Sequence, residues 1–223
     1  ADGQSDAKLA FDEKAGVAET FDAWVFLEGD EKLFGRFEGV ASDTLKLTTP
    51  WKDVLTIPLS RVAGIHVSLL DRKETPESFA RRLKSRGSED LLLAQAKNGE
   101  IVPILGVLEG VEGGRLRFLY QGASRSLPVK QVEGVVLASR PTARDDELQS
   151  TFLLLDGGVV SGRWKAIDSA AWKVESLWGQ EMKLPPADVQ EVRFRGGKMT
   201  YLSDLERSKD EDTPCFGRRS PCR

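Results

Sequence analysis

Aromatic and basic side chains alternate in one stretch of the chain, a pattern that sugar-binding and base-binding surfaces use. The tryptophans are Trp164, Trp172 and Trp178, and the basic residues among them are Arg163, Lys165 and Lys173. Exposed indole rings beside cations form a platform on which a sugar or a nucleic-acid base stacks. Buried, the same rings would pack a core or an interface between neighbouring units. We favour packing and keep the platform as the alternative.

A basic patch follows a clear helix start. Thr75 suits the N-cap, Pro76 the first helical position and Glu77 the first turn. Phe79 and Leu83 fall four residues apart, on one helix face. The later turns carry the basic patch, which consists of Arg81, Arg82, Lys84 and Arg86. The patch suits either an acidic partner or the solvated side of a connecting helix, and the second is favoured because charge runs are common on exposed helix faces.

Residues for catalysis or metal binding do not converge in this sequence. His66 is the only histidine, and we expect it at a surface or partly buried strand position because a site needs convergent partners. There is no Ser-His-Asp set, nucleophile elbow or metal motif, and acids such as Asp30 and Asp156 suit turns. We therefore predict no catalytic residue, no metal site and no cofactor, and we do not expect an enzyme.

The cysteines lie close together near the end of the sequence. Cys215 and Cys222 both fall in the last nine residues, so no disulfide is expected in the folded body. They either close a small disulfide loop in an exported protein or remain free thiols. Two thiols without further His or Cys are too few for a zinc site.

Three stretches of the chain share one set of landmarks. Each has a glycine, an apolar β-branched residue five positions later, an apolar-Pro pair about 22 positions later, and two apolar residues beyond the proline. The copies are Gly35, Val40, Ile57-Pro58, Val62 and Ile65; Gly106, Val111, Leu127-Pro128, Val132 and Val135; and Gly162, Ile167, Leu184-Pro185, Val189 and Val192. A repeat this long is itself domain-sized, so the pattern predicts a tandem array.

Each landmark has a physical interpretation. A glycine inside a strand pattern marks a bulge, a bend or a close approach of two backbones. The proline ends a strand because it donates no hydrogen bond to the ladder. The residues after it suit a single 3₁₀ turn, and the apolar residues that follow open a closing strand.

This pattern resembles the Sm-like and SH3-like small β-barrels. In that family a bent second strand carries a glycine, and a one-turn 3₁₀ helix precedes the final strand. The resemblance covers roughly residues 22–70, 90–138 and 150–196, with generic antiparallel meanders as the alternative. The predicted fold is mainly β: three tandem small SH3/Sm-like barrels, one short connecting helix at about 76–86 and a flexible C-terminal tail.

The resulting division of the chain has seven parts. It consists of a flexible lead (1–20), barrel repeat 1 (21–70), a helical connector (71–89), barrel repeat 2 (90–138), a linker (139–149), barrel repeat 3 (150–197) and a tail (198–223). The stretches are called repeat 1, repeat 2 and repeat 3 below.

Length and composition limit the class of partner. The chain has 223 residues, a formal net charge of −3 and 30% charged residues. A nucleic-acid binder must neutralise phosphates with Lys and Arg, so nucleic acid is not an expected partner. No apolar run approaches the roughly 18 residues that a membrane span needs, and none is predicted. The chain opens at Ala1 without Met, as in a mature form after signal cleavage or a shortened chain.

The tail resembles the opening of the novel putative carbohydrate-binding module, NPCBM, of secreted bacterial proteins, notably those of planctomycetes. The matching residues are Tyr201-Leu202-Ser203-Asp204-Leu205, Thr213-Pro214 and Phe216-Gly217-Arg218. The match spans about 25 residues, and it implies that the barrels precede a sugar-binding module in a longer protein exported to the periplasm or beyond the cell.

Three functions follow as hypotheses. The first is a non-catalytic interaction or scaffold region of an exported bacterial protein, adjacent to a carbohydrate-binding module, with a glycan or another protein as partner. The alternative is Sm-like nucleic-acid binding, which the barrel pattern and the basic patch support. A hydrolase of unknown substrate comes last, because no catalytic set is present.

Overall fold

The computed structural model of the protein describes residues 20–67, 75–96, 98–139 and 149–195. Within these ranges the protein is mainly β, with fifteen strands in one large antiparallel sheet, one α-helix and three 3₁₀ turns. The predicted lead up to residue 19, most of the predicted linker (140–148) and the predicted tail (198–223) lie outside the described residues.

Repeat 1 contributes the first five strands, which are β1 (Phe21–Leu27), β2 (Lys32–Ala41), β3 (Thr44–Thr48), β4 (Val54–Pro58) and β5 (Val62–Val67). β1 to β4 form a meander, and β5 returns to pair with β1, which gives the order β5-β1-β2-β3-β4. Alternation sets the faces, as in β3, where Leu45 and Leu47 are buried and Lys46 is exposed.

Repeats 2 and 3 have the same strand order as repeat 1. Repeat 2 forms β6 (Asp90–Gln95), β7 (Ile101–Glu112), β8 (Arg115–Tyr120), β9 (Ala123–Pro128) and β10 (Val132–Val136). Repeat 3 forms β11 (Gln149–Leu154), β12 (Val159–Ile167), β13 (Trp172–Ser176), β14 (Glu181–Leu184) and β15 (Val189–Arg195). In both, the last strand pairs with the first, as β10 does with β6 and β15 with β11.

The three landmark prolines occupy equivalent positions, as the repeat predicts. Pro58, Pro128 and Pro185 are each the N-cap of a three-residue 3₁₀ turn that leads into the last strand. The turns span Leu59–Arg61, Val129–Gln131 and Pro186–Asp188. The proline therefore ends one strand and redirects the chain towards the first strand of its own repeat.

The landmark glycines are sites of close backbone approach. A Cβ atom at Gly35, Gly106 or Gly162 would lie 2.5, 2.2 or 2.4 Å from a carbonyl oxygen of the next strand of its repeat. No other residue fits there without moving that strand. A register shift follows a few residues later in each second strand, as between Phe37 and Gly39, so each second strand carries the predicted irregularity.

The connecting helix, α1 (Pro76–Leu83), begins as predicted. The side chain of Thr75 accepts a hydrogen bond from the Ser78 N–H at 3.2 Å, and Pro76 takes the first helical position. The helix ends at Leu83, three residues before the predicted end. Phe79 is its buried residue.

Two clusters of buried apolar side chains hold the sheet together. The larger draws residues from all three repeats, among them Leu45, Phe118 and Phe152. The smaller lies beneath α1 and centres on Phe79. The main path through the sheet runs β14-β13-β12-β2-β1-β5-β10-β6-β7-β8-β9, so strands of different repeats pair directly with one another.

Candidate interaction surfaces

Repeats 1 and 2 pair with each other through their last strands. In the antiparallel pairing of β5 with β10, Ile65 lies opposite Val135, Gly64 opposite Val136, and His66 opposite Gly134. Ile65 and Val135 are the same landmark of the two repeats. The pairing is therefore reciprocal about these two residues, as in a two-fold symmetric dimer.

A second contact between repeats 1 and 2 has the same reciprocity. Val40 of β2 lies opposite Val111 of β7, and both are the fifth residue after a landmark glycine. Val40 is 4% exposed and Val111 is 6% exposed. The two repeats thus form a pseudo-two-fold pair that buries two sets of equivalent residues.

Helix α1 covers one face of the β5–β10 pairing. Phe79 packs over two glycines, since a Cβ atom at Gly134 would lie 2.6 Å from its ring and one at Gly64 would lie 3.0 Å from it. The His66 ring centroid is 5.2 Å from that of Phe79. His66 is only 2% exposed. The expectation of a surface or partly buried histidine was therefore wrong, because α1 closes the face on which the imidazole lies.

Three residues of the basic patch are exposed to solvent, and the fourth forms an ion pair within the protein. Arg81, Arg82 and Lys84 are exposed. Arg86 instead donates two hydrogen bonds to the Glu28 carboxylate, at 2.7 and 2.8 Å. These hydrogen bonds raise the pKa of the Arg86 guanidinium above its ordinary value. Arg86 therefore ties the segment after α1 to the first turn of repeat 1.

Repeat 3 docks on repeat 1 through backbone hydrogen bonds of β4. The Gln180 side chain accepts from the Thr56 N–H at 2.8 Å and donates to the Val54 carbonyl at 2.9 Å. The Lys183 N–H donates to the Asp53 carboxylate at 2.6 Å. One glutamine side chain thus satisfies two backbone groups of an edge strand, as a neighbouring strand would.

A buried carboxyl group lies at the same junction. Glu31 is buried, and its Oε1 accepts a hydrogen bond from the Ser161 N–H across the two repeats. Its Oε2 is buried with no hydrogen-bond partner among the described residues. Loss of hydration disfavours the charged form and raises the pKa of Glu31 to about 7, despite the opposing effect of Ser161.

The aromatic residues of repeat 3 form a packed cluster. The ring centroids of Trp164 and Trp172 are 5.2 Å apart at 57°, and that of Phe152 lies 5.0 Å from that of Trp164. The Trp164 indole N–H donates to the Ser150 hydroxyl at 2.7 Å. All three tryptophans pack against the large core cluster. The rings of Trp164 and Trp172 are tilted towards each other rather than coplanar.

The basic residues of the predicted platform do not lie beside these rings. Cross-strand partners share a face, and Trp164 is opposite Val174 whereas Arg163 is opposite Glu175. Lys173 therefore lies on the same face as Arg163, across the sheet from the tryptophans. Trp178 is in the turn after β13 and donates to the Gln180 side chain at 3.4 Å. The structure thus brings Trp164 and Trp172 together but separates them from the cations.

Among the described residues, nothing covers the two surfaces of repeat 3 that correspond to those buried between repeats 1 and 2. Ile167, which corresponds to Val40 and Val111, is 69% exposed. Within the described ranges, β15 pairs only with β11, so its outer edge has no strand partner. Every residue of β5 and β10 is buried, whereas β15 has exposed residues such as Glu191.

The aligned positions of the repeats did not by themselves predict a surface. The available signal was a difference between the copies. Glu191 of repeat 3 stands where the others have Gly64 and Gly134. A charged residue at a position that is glycine in the other repeats indicates that no described aromatic ring packs on it as Phe79 packs on Gly64 and Gly134.

The described residues supply neither a metal cluster nor a membrane helix. No group of three or more His, Cys, Asp or Glu side chains in those ranges is placed to hold a metal ion. Of the helical structure in the same ranges, none has the length and apolar content to cross a bilayer. Cys215, Cys222 and the NPCBM-like tail lie outside the described residues.

Comparison with known proteins adds no further assignment. No protein-family model matches this chain, and a search of curated proteins finds no match. The function is therefore inferred from the geometry of the three repeats.

Proposed function

We propose that this chain is a non-catalytic interaction and scaffold region built from three small barrels of the SH3-like and Sm-like type. The observation that carries the proposal is the exposure of Ile167, at a position that is buried between repeats 1 and 2. Val40 and Val111, the residues at this position in repeats 1 and 2, are buried opposite each other, so the same position of repeat 3 suits a protein interface. Repeats 1 and 2 then form the internal scaffold, and repeat 3 carries the interaction surface.

Support for the barrel assignment comes from local features of every repeat. Each has five strands in the order 5-1-2-3-4, an irregular second strand and a proline-led 3₁₀ turn before the last strand. Small barrels need a sharp bend in one strand to close, and the landmark glycines together with the register shifts beside them supply it.

The cellular context is proposed from the tail alone. Residues 198–223 are similar to the start of an NPCBM module, which implies an exported bacterial protein in which a sugar-binding module neighbours the barrels. In that arrangement the module binds the glycan and repeat 3 provides the contact to protein.

A photo-crosslinking amino acid at position 167 tests this function in cells that make the protein. The matched control carries the same amino acid at Ser60, which is exposed in the 3₁₀ turn of repeat 1. We expect a protein adduct from position 167 and none from position 60. The absence of an adduct from position 167 would contradict a protein interface there. Binding of the isolated chain to a glycan array that is lost in Trp172→Ala would indicate a sugar site in repeat 3 instead.

A further inference from the structure

The outer edge of β15 corresponds to the edges of β5 and β10 that pair with each other. Val192, like Ile65 and Val135, is the second apolar landmark after the proline. It pairs inward with Phe152 of the first strand, as Ile65 does with Val25 and Val135 with Leu92. The outward-facing N–H and C=O groups of β15 are therefore equivalent to those through which β5 and β10 pair with each other.

We propose that repeat 3 binds repeat 3 of a second copy of this chain, with the two β15 strands antiparallel and Val192 opposite Val192 of the partner subunit. The register is the one already used inside the chain, where Ile65 lies opposite Val135. An exposed strand edge is a ready template for such pairing. The contact is isologous, so it closes at a dimer.

The charges on β15 are complementary in this register. Antiparallel pairing about Val192 puts Glu191 opposite Arg193 of the partner subunit, and Arg193 opposite Glu191 of the partner subunit. Within one copy these two side chains form an exposed ion pair, with 2.7 Å between Arg193 Nε and Glu191 Oε1. Opposite charges facing each other across strands stabilise a pairing, whereas like charges oppose it.

Ile167 supplies the apolar half of the same dimer contact. Val40 and Val111 meet on the pseudo-two-fold axis of repeats 1 and 2, and Ile167 occupies that position in repeat 3. The same two-fold operation that pairs β15 with its copy brings the two Ile167 side chains together. One contact therefore covers both surfaces that repeat 3 leaves open.

One difference between the repeats defines how closely the copies approach near Ile167. Gly39 and Gly110 have no side chain where their backbones meet, since a Cβ atom would lie 2.6 Å from the Val111 carbonyl oxygen or 3.0 Å from that of Val40. Ala166 takes this position in repeat 3. The two copies therefore meet here through isoleucine side chains, which are longer than valine, and without a backbone pairing like that of β2 with β7.

Sedimentation velocity of the full chain tests the dimer, between about 1 μM and about 1 mM, where weak specific contacts dissociate. We expect the wild type to dimerise. Ile167→Glu should weaken association at least about tenfold, since it buries two charges on the axis. Leu105→Glu, at an exposed leucine of repeat 2, is the matched control and should dimerise as the wild type does.

Charge reversal distinguishes this register from a loss of folding. Glu191→Arg alone and Arg193→Glu alone each place like charges opposite each other twice, so each should weaken association about tenfold. Mixing the two variants restores opposite charges at both pairs, and the mixture should dimerise to within about threefold of the wild type. A merely structural effect on either monomer is not rescued by mixing.

The inference rests on the proposed function because it names the protein partner of that surface. A wild type that stays monomeric at about 1 mM, or a mixture that does not recover, overturns the dimer. If position 167 still crosslinks to a different protein, the interaction function stands and only the second copy is excluded. If position 167 crosslinks to nothing, both proposals fail.

Discussion

Val40 lies directly opposite Val111, and these residues occupy the same position in two copies of one repeat. A residue that meets its own counterpart lies on or near a symmetry axis. The first two repeats therefore behave as a dimer fused into one chain. The third repeat, with Ile167 at the corresponding position, lacks such a partner within the described residues.

The glycines at the β5–β10 pairing should tolerate no side chain. In Gly134→Ala the new Cβ would lie 2.6 Å from the Phe79 ring and 2.7 Å from the Ile65 carbonyl oxygen. Because β5 or the Phe79 ring must move, we expect the free energy of unfolding to fall by about 1–3 kcal/mol. Gly87→Ala is the control, since no described heavy atom outside its two chain neighbours lies within 4 Å of the added Cβ. Urea denaturation of both variants measures the difference. Equal decreases in the free energy of unfolding would show that the Phe79 ring does not pack against Gly134.

The Asp90 side chain should be a strong stabiliser of repeat 2. Its two carboxylate oxygens accept hydrogen bonds from the Leu108 N–H and the Ala138 N–H, each at 2.8 Å, and the residue is buried. In Asp90→Asn one of these N–H groups faces an amide N–H₂ instead of an oxygen. We expect a loss of about 2 kcal/mol in chemical denaturation.

Asp168→Asn is the control for that measurement. Asp168 is exposed and receives both of its backbone hydrogen bonds, from Ala170 and Ala171, on one oxygen that asparagine retains. Its denaturation midpoint should not change. A larger loss of unfolding free energy in Asp168→Asn than in Asp90→Asn would contradict the roles given to the two carboxylates.

The junction between repeats 1 and 3 should weaken as pH rises. Burial raises the pKa of Glu31 to about 7 from its ordinary value of 4.5. The folded state therefore holds the proton more tightly than the unfolded state does. Stability from this group is fully present below pH 4.5, falls between pH 4.5 and 7, and is then constant. The fall is on the order of 3 kcal/mol.

Glu31→Gln checks this pH dependence because glutamine keeps the shape and removes the titration. We expect the difference in unfolding free energy between wild type and variant to change with pH between 4.5 and 7 and to be flat above it. Urea denaturation at pH 5, 6, 7 and 8 measures it. A constant difference across the series would mean that Glu31 titrates as an ordinary exposed carboxyl group.

The Arg86–Glu28 ion pair should contribute more to the free energy of unfolding than an exposed ion pair does. Its side chains are each 13% exposed, whereas those of Lys165 and Glu175 are 49% and 28% exposed. We expect a coupling of about 1–2 kcal/mol from a double-mutant cycle of alanine variants, because the hydrogen bonds are bidentate and partly shielded. The Lys165–Glu175 cycle should give about 0.5 kcal/mol or less. Equal coupling energies would show that the Arg86–Glu28 pair does not hold the segment after α1 against repeat 1.

The sequence was informative about the path of each repeat because those signals are local. Pro58, Pro128 and Pro185 restrict their own backbone, and Thr75 caps its own helix, so their roles followed from residue type and spacing. The burial of His66 was not predictable in this way, since it depends on a helix in the following segment that packs back over β5.

The candidate surface was harder to predict for the same reason. Trp164 and Lys173 are close in sequence, but strand register places them on opposite faces of the sheet. Ile167 and Val40 look alike in an alignment of the repeats. Only the placement of the neighbouring repeat makes one exposed and the other buried.

A cysteine crosslink across β15 tests the central claim most directly. In a chain with Cys215→Ser and Cys222→Ser, Val192→Cys should form a disulfide-linked dimer on mild oxidation. Residues opposite each other in antiparallel strands have Cα atoms about 4.5–5.5 Å apart, within disulfide range. Gln190→Cys should not crosslink, since the two copies of residue 190 lie about 13 Å apart in this register. No dimer from position 192, or equal crosslinking from position 190, would contradict the pairing.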